Sequence, residues 1–251
     1  MIMMQKKKFG LDSFFLHILA MGLMLCDHLW ATLFPKQEWM TYIGRIAFPI
    51  FAFMIVEGYF HTSNVRTYIR RMFVFAVISE IPFDLVYGSS VFYPFHQNVL
   101  WTFLISLISI QLCEKAKTLK WRWITGSVFL LVLAFDYMIG NLAMVDYFGA
   151  GVLTVMTFYL FRKRNWQSLA GQIFCLGFLN IRMLGSYFSS ITIAGYEVEI
   201  VQQGFALFAL IPIWFYNGKQ GYHSKWFQYI CYGFYPGHLL ILYLIWQWMM
   251  V

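Results

Sequence analysis

An aspartate and a histidine, Asp27 and His28, lie side by side within the apolar stretch MLCDHLW. An uncharged imidazole can remove a proton from an attacking amine or hydroxyl, so His28 is a candidate general base. Neighbouring helical residues project about 100° apart and do not face each other, so the two residues do not form a dyad. We therefore expect Asp27 to support the same catalytic site by balancing an arginine, either Arg45 or Arg182. The alternative for His28 is a histidine that only hydrogen-bonds between helices.

Further polar side chains interrupt apolar segments along the chain. A buried charge is costly unless it is paired, so we expect these groups to converge in a shared interior. Glu80 and Asp84 are four residues apart and project from one helix face. Gln97, Asn98, Asp146 and Arg182 are expected near the level of Asp27 and His28, whereas His238 is expected nearer mid-depth. For Asp146 the alternative is an interfacial loop in which polar residues cost little.

A cluster of arginines, Arg66, Arg70 and Arg71, lies where another helix is expected to begin. Guanidinium groups together with the free N–H groups of a helix start favour phosphate. These arginines are therefore candidates for binding a phosphorylated cofactor or donor. The alternative is that they only mark the cytoplasmic ends of membrane helices.

The composition indicates that membrane-spanning helices position these residues. Of 251 residues, 61% are hydrophobic and 12% are charged, against about 25% charged in a soluble domain, and the mean hydropathy is +0.64. Apolar runs near 20 residues, the length that crosses a bilayer, recur throughout. We predict an all-α polytopic membrane protein in which residues 1–251 form a single bundle of about nine helices. The predicted spans are 11–34, 41–60, 68–87, 98–113, 121–139, 145–161, 166–189, 200–216 and 226–249.

The basic residues predict the orientation of these spans. Lys6, Lys7 and Lys8 precede the first span, and every second connection thereafter is rich in Lys and Arg. Basic segments stay on the cytoplasmic side, so the N-terminus is expected in the cytoplasm and the C-terminus outside. At about 1.5 Å per residue, His28 then lies roughly 25 Å from the cytoplasmic end of its helix. The Asp27-His28 pair is therefore expected in the outer third of the membrane.

The order of several sequence blocks resembles a known family. The chain resembles the conjugal-transfer TraX proteins and, more distantly, the transmembrane acyltransferases that modify polysaccharides and glucosamine. The blocks that carry the resemblance are LDSFFLHILAMGLMLCDH (11–28), GRIAFPIFAFMIVEGYFHT (44–62) with Arg70 and Arg71, SEIPFDL (79–85), HQNVLWTFLISL (96–107), DYFGAGVL (146–153), QGFALFALIPIWFYNGKQG (203–221) and FYPGHLL (234–240).

The resemblance implies an enzymatic activity. TraX proteins are associated with N-terminal acetylation of pilin, and the wider superfamily transfers acyl groups from cytoplasmic acetyl-CoA to acceptors on the far side. By this resemblance the catalytic histidine is His28 and the donor-binding arginines are Arg70 and Arg71. Arg45, Arg182 or the Gln97-Asn98 amides could steady the thioester oxygen, with Asp27, Glu80 and Asp84 holding the arginines in place.

The expected partners follow from this interpretation. They are the bilayer of the cell membrane, acetyl-CoA as the acyl donor, and an acceptor amine or hydroxyl of a peptide N-terminus, glycan or lipid head group. We expect no nucleic acid, since membrane topology explains the distribution of the basic residues, and no metal, since the four cysteines are scattered singly. One alternative is a proton-coupled transporter or flippase that uses the same polar chamber. Another is a non-catalytic membrane factor.

Overall fold

A computed structural model describes residues 10–193 and 196–250, so Lys6, Lys7 and Lys8 lie outside the described residues. A π-helical turn spans Phe178–Met183, and a 3₁₀ segment spans Gln202–Ala209. The helices are α1 (Ser13–Thr32), α2 (Trp39–Gly44), α3 (Ala47–His61), α4 (Val65–Tyr87), α5 (Val99–Ala116), α6 (Arg122–Leu142), α7 (Phe148–Leu160), α8 (Trp166–Gly177), α9 (Leu210–Trp214) and α10 (Lys225–Met250).

Polar side chains fix the start of four of these helices. Asp12, Asn64, Asn98 and Asn165 each accept a hydrogen bond from a backbone N–H in the first turn of α1, α4, α5 and α8. These caps satisfy N–H groups that have no partner inside the helix. Each cap therefore marks in the sequence where an apolar segment begins.

Five helical segments within the described residues are long and apolar enough to cross a membrane. Two further apolar segments, Phe148–Leu160 and Gln202–Trp214, are shorter. The helical membrane architecture is thus confirmed, whereas the count of nine spans and the side on which the N-terminus lies stay predictions. The five long segments are Ser13–Thr32, Trp39–His61, Val99–Ala116, Arg122–Leu142 and Lys225–Met250.

The core lies between α3, α5 and α7, each of which buries at least half of its residues. Ile50, Leu107 and Phe158 are among its fully enclosed residues. The outer helices instead expose large apolar side chains, such as Leu130 and Leu131 of α6, each about 70% exposed. An apolar exterior around an apolar core is the pattern of a protein whose solvent is lipid.

One segment departs from the predicted helices. The predicted span 166–189 is helical only to Met183, and the chain then forms an antiparallel hairpin of β1 (Phe188–Ile193) and β2 (Tyr196–Val201). The β-branched run ITI and the alternating YEVEIV favour strands. The predicted span 200–216 correspondingly begins as a 3₁₀ segment at Gln202.

The first and last helices run in the same direction. The ring of Phe14 near the start of α1 lies 4.7 Å from that of Phe227 near the start of α10, and the backbone N–H of Ser13 donates to the oxygen of Lys219. Helices that start side by side bring residues at similar distances along them to one level. We call the end where α1 and α10 start the basic end and the other the acidic end. The basic end carries Arg66, Arg70, Arg71, Arg162, Arg164 and Lys219, and the acidic end carries Asp27, Glu80, Asp84 and Asp146.

Candidate active site

Two histidines from the parallel helices α1 and α10 meet inside the bundle. Nδ1 of His28 lies 2.6 Å from Nε2 of His238. Their ring planes are within 2° of parallel, with centroids 4.8 Å apart. His238 is buried and His28 is partly buried. His238 was predicted nearer mid-depth than His28, but the structure places the two at one level because α1 and α10 start together.

The hydrogen bonds of this pair determine where each proton lies. Nδ1 of His238 is 2.6 Å from the backbone oxygen of Phe234. A carbonyl oxygen can only accept, so this Nδ1 carries the hydrogen. In uncharged His238, Nε2 then accepts, and Nδ1 of His28 must donate to it. The lone pair of uncharged His28 therefore resides on Nε2, for which the described part of the chain provides no hydrogen-bond partner.

Asp27 is held by residues of α2 and the turn after it. The Thr41 hydroxyl donates to Oδ1 of Asp27 at 2.7 Å, and Nη2 of Arg45 lies 3.5 Å from the same oxygen. Arg45 also donates to the Thr41 hydroxyl at 2.9 Å. Gly44 permits this approach, because a Cβ there would lie 2.4 Å from the Cβ of Asp27. Of the two predicted partners of Asp27, the structure thus brings Arg45 to it.

The loop before α7 reaches the same region in a strained conformation. Met144, Tyr147 and Phe148 all have positive φ, between 49° and 61°, which costs non-glycine residues about 1–3 kcal/mol each. The Tyr147 ring stacks on Phe48 with centroids 4.1 Å apart. Its backbone N–H donates to Oδ1 of Asp146 at 3.1 Å. This backbone conformation places Tyr147 between the core and Arg45. The Tyr147 side chain interacts with Arg45.

Glu80 and Asp84 accept hydrogen bonds from backbone N–H groups and uncharged side chains. They do not pair with arginines, contrary to the prediction. Glu80 accepts hydrogen bonds from the backbone and side-chain amides of Asn98 and from the Trp101 indole. Asp84 accepts from the backbone N–H of Tyr93 at 2.9 Å. Glu80 lies on the face of α4 that meets α5, so the capping residue of α5 is closer to it than any guanidinium is. Glu80 therefore secures the N-terminus of α5.

Of the predicted oxyanion-stabilising groups, Arg45 lies against Asp27 and Thr41, and the other three are bonded elsewhere or exposed. The Asn98 side-chain amide donates to Glu80 and to the oxygen of Ala76, and that of Gln97 donates to the oxygen of Pro94. Arg182 lies in the π-helical turn with an exposed side chain, and no ion pair joins it to any described residue. These groups are therefore not available to a substrate beside His28 in this conformation.

A cavity of about 500 Å³ leads from the basic end toward the histidine pair. His17, Glu57, Arg71 and His223 line its mouth, and Met24, Phe234 and Tyr235 line its inner end. Met24 lies four residues before His28, and Phe234 lies four residues before His238. The cavity therefore ends about one helical turn, or 5.4 Å, before the histidines.

The three predicted donor-binding arginines differ in their access to this cavity. Arg71 lines the cavity, and its buried Nε has no hydrogen-bond partner in the described residues. Its guanidinium lies 5.9 Å from the centre of the Tyr232 ring. Arg66 and Arg70 are exposed and lie outside the cavity lining. The structure therefore separates Arg71 from its two neighbours.

Several site residues were missed by sequence reasoning. Thr41, His96, Tyr147 and Tyr235 contact or adjoin the predicted groups. The spacing of Thr41 and Arg45, four residues apart in a helix, was a usable signal, whereas tyrosines abound in this chain and carried none. No group of three or more His, Cys, Asp or Glu side chains in the described residues is placed to hold a metal ion.

Comparison with known proteins supplies a family. The sequence model described as "TraX protein" matches residues 13–246. The chain is 26% identical over 245 residues to a probable fimbrial assembly protein FimC, serogroup H1, of Dichelobacter nodosus, covering 92% of this chain and 94% of that one. It is 28% identical over 160 residues to Protein TraX of Escherichia coli, covering 62% of this chain and 59% of that one. No solved structure matches the chain.

Proposed function

Because the chain belongs to the TraX family, we propose that it is a cell-membrane acetyltransferase. In this proposal it transfers an acetyl group from cytoplasmic acetyl-CoA to an amine or hydroxyl that enters from the acidic end. His28 is the general base. The observation that carries the proposal is the cavity that runs from the basic end to within one helical turn of the histidine pair.

The cavity fits the shape and charge of the proposed donor. Acetyl-CoA has an anionic nucleotide and a thin, mostly uncharged pantetheine arm that ends in the thioester. Arg71 at the mouth offers a guanidinium to the phosphates, and Met54, Met72 and Phe103 line the passage beyond it. A volume of about 500 Å³ lies within the range of small-molecule sites. The thioester then reaches the inner end, near His28.

The histidine pair supplies the proton transfers. As the acceptor nitrogen or oxygen bonds to the thioester carbonyl carbon, Nε2 of His28 takes its proton. When the intermediate collapses and the C–S bond breaks, His28 returns the proton to the departing sulfur, releasing CoA with a free thiol. His238 is a positioning residue, because its Nε2 accepts from Nδ1 of His28 and so directs the lone pair of Nε2 toward the substrate.

The Asp27–Thr41–Arg45 network gives the base a fixed platform. Asp27 adjoins His28 on α1, and its contacts with Thr41 and Arg45 lock α1 against α2. A base positioned to within about 0.5 Å is needed for efficient proton transfer. We propose that this network acts on geometry, with no direct role for Asp27 in moving a proton.

The test is acetyl transfer by the purified full-length protein with acetyl-CoA labelled in the acetyl group. The acceptors are a short peptide with a free N-terminus, glucosamine, phosphatidylethanolamine vesicles and a membrane extract. Label should move to at least one of them. His28→Ala should lower kcat by about 10²–10⁴-fold, because a general base acts in the transition state, while the affinity for acetyl-CoA stays unchanged.

A matched pair of variants tests the role of His238. His238→Gln should retain more activity than His238→Ala, since a glutamine oxygen can still accept from Nδ1 of His28. If no acceptor is labelled by wild-type protein that binds acetyl-CoA, the proposed activity is wrong. If His28→Ala keeps more than about a tenth of the wild-type kcat, His28 is not the base.

A further inference from the structure

Tyr235 stands between the inner end of the cavity and the histidine pair. It lines the cavity and is only 6% exposed. Its ring centroid lies 6.2 Å from that of His28 and 5.9 Å from that of His238. A molecule that extends through the cavity toward His28 therefore passes this side chain.

The Tyr235 hydroxyl interacts with the start of α5. The backbone N–H of Val99, the first residue of α5, interacts with this oxygen. That N–H is one of the groups that a helix leaves without an internal partner. The hydrogen of the hydroxyl has no acceptor in the described residues, although buried tyrosines usually find one.

We propose that Tyr235 is a catalytic residue that donates its hydroxyl hydrogen to the thioester oxygen. This inference rests on the proposed acetyl transfer and adds the group that stabilises negative charge. When the acceptor bonds to the carbonyl carbon, the C=O electron pair moves onto the oxygen, which accepts the Tyr235 O–H. On collapse the pair returns, the C–S bond breaks, and the tyrosine keeps its proton throughout.

The N-terminus of α5 strengthens this donor. Partial positive charge accumulates at a helix start, and here it lies beside the phenolic oxygen. Positive charge beside the phenolic oxygen polarises the O–H bond and makes its hydrogen a better donor. Preorganised donors of this kind act where charge develops and need no rearrangement during the reaction. The amides of Gln97 and Asn98, by contrast, are already bonded to protein groups.

A packing role for Tyr235 gives a different expectation. Its ring joins Phe83 and Leu239 in a small apolar cluster, and phenylalanine would preserve that packing. Tyr235→Phe therefore removes only the hydroxyl. Tyr243→Phe is the matched control, because Tyr243 lies on the same helix, eight residues after Tyr235, and does not line the cavity.

The experiment compares both variants with wild type in the labelled acetyl-CoA assay. Tyr235→Phe should lower kcat by about 10²–10³-fold, the usual effect of removing one oxyanion donor, with the KM for acetyl-CoA and the melting temperature unchanged. Tyr243→Phe should keep its kcat. An active wild type whose Tyr235→Phe variant retains kcat within about threefold overturns this inference and leaves the acetyl transfer standing.

A second measurement does not depend on turnover. Infrared spectra of acetyl-CoA labelled with ¹³C at the carbonyl, bound without acceptor, should show the thioester stretch at lower frequency than in solution. Tyr235→Phe should remove that shift, and Tyr243→Phe should keep it. An unshifted carbonyl in bound wild-type protein, or a shift that survives in Tyr235→Phe, assigns the hydroxyl to packing. A wild type that binds acetyl-CoA without transferring the label contradicts the acetyl transfer itself.

Discussion

The two ends of the bundle use arginine differently. At the acidic end, Arg45 has the carboxylate of Asp27 within 3.5 Å and the Thr41 hydroxyl within 2.9 Å. At the basic end, Arg71 forms no ion pair with any described residue, and the Tyr232 ring lies 5.9 Å from its guanidinium carbon. One guanidinium is thus paired within the protein, and the other faces an open cavity.

This difference in pairing indicates different roles for the two arginines: Arg45 positions helices, and Arg71 binds a ligand. A paired arginine fixes two helices relative to each other, since breaking such a pair leaves a charge without compensation. An arginine without an anionic partner can form charge-assisted hydrogen bonds with a ligand without first breaking any within the protein. We therefore expect changes at the acidic end to alter stability, and changes at the basic end to alter donor affinity.

The largest expected effect is on stability, from Asp27→Ala. This substitution leaves Arg45 without its acid, and the free energy of unfolding should fall by about 3 kcal/mol. Asp27→Asn should be less destabilising, because its amide oxygen can still accept from Thr41. The check is thermal unfolding of the protein in detergent, with acetyl-CoA binding measured on the folded fraction. Equal melting temperatures for Asp27→Ala and wild type would mean that Arg45 finds another partner.

An intermediate effect is expected from Arg71→Ala. Loss of one charge-assisted hydrogen bond to a phosphate should raise the KM for acetyl-CoA by about tenfold, with kcat nearly unchanged, because the contact is the same in ground and transition states. Arg70→Ala is the matched control, since Arg70 is the exposed neighbour outside the cavity. Steady-state kinetics that show equal effects of the two substitutions would place the phosphates outside the cavity mouth.

The smallest effect concerns the loop between α4 and α5. His96 lies 3.6 Å from Asp146, and its interaction with that carboxylate raises the pKa of His96 above its usual value, despite partial burial. The carboxylates of Glu80 and Asp84 add to this effect. A raised histidine pKa means that the folded protein binds the proton more tightly than the unfolded chain does. The resulting stabilisation is complete below about pH 6.5 and is lost as the pH rises through the raised pKa.

This pH dependence has a direct measurement. Both side chains are about a third exposed, 34% for His96 and 28% for Asp146, so solvent weakens the pair. Between pH 5.5 and 8.5, the wild-type melting temperature should fall by about 1–2 °C more than that of His96→Gln. Asp146→Asn should lose most of this extra fall, since only Glu80 and Asp84 then still favour the charged form of His96. An identical pH dependence in wild type and both variants would contradict the pairing.

Much of the candidate site was predictable as a set of residues. Asp27, His28 and Arg45 were identified because ionisable groups inside apolar segments need partners. Their pairing was less predictable. Arg45 and Arg182 were equivalent candidates, and only the packing of α2 against α1, through Gly44, brought Arg45 to Asp27. Glu80 was likewise predicted to pair with an arginine, because a buried acid needs a partner. Its position beside the start of α5 makes Asn98 its hydrogen-bond partner instead.

The helical segments were predicted because hydrophobicity and length carry that information directly. The hairpin after Met183 was missed, because a short apolar stretch is compatible with either a helix or a strand. The contrary signals were the β-branched residues and the alternation of YEVEIV. The irregular Gln202–Ala209 segment could not be foreseen, because a 3₁₀ helix has no distinct apolar period of its own.

The sequence by itself determined that this is a helical membrane protein with ionisable groups inside its apolar segments. Composition and periodicity are properties of the chain, and the cost of an unpaired charge in lipid does not depend on the fold. The tertiary structure alone decided that His28 meets His238, 210 residues away, and that a cavity ends beside them. A contact between two helices depends on their direction and register, and these are set by the packing of the whole bundle.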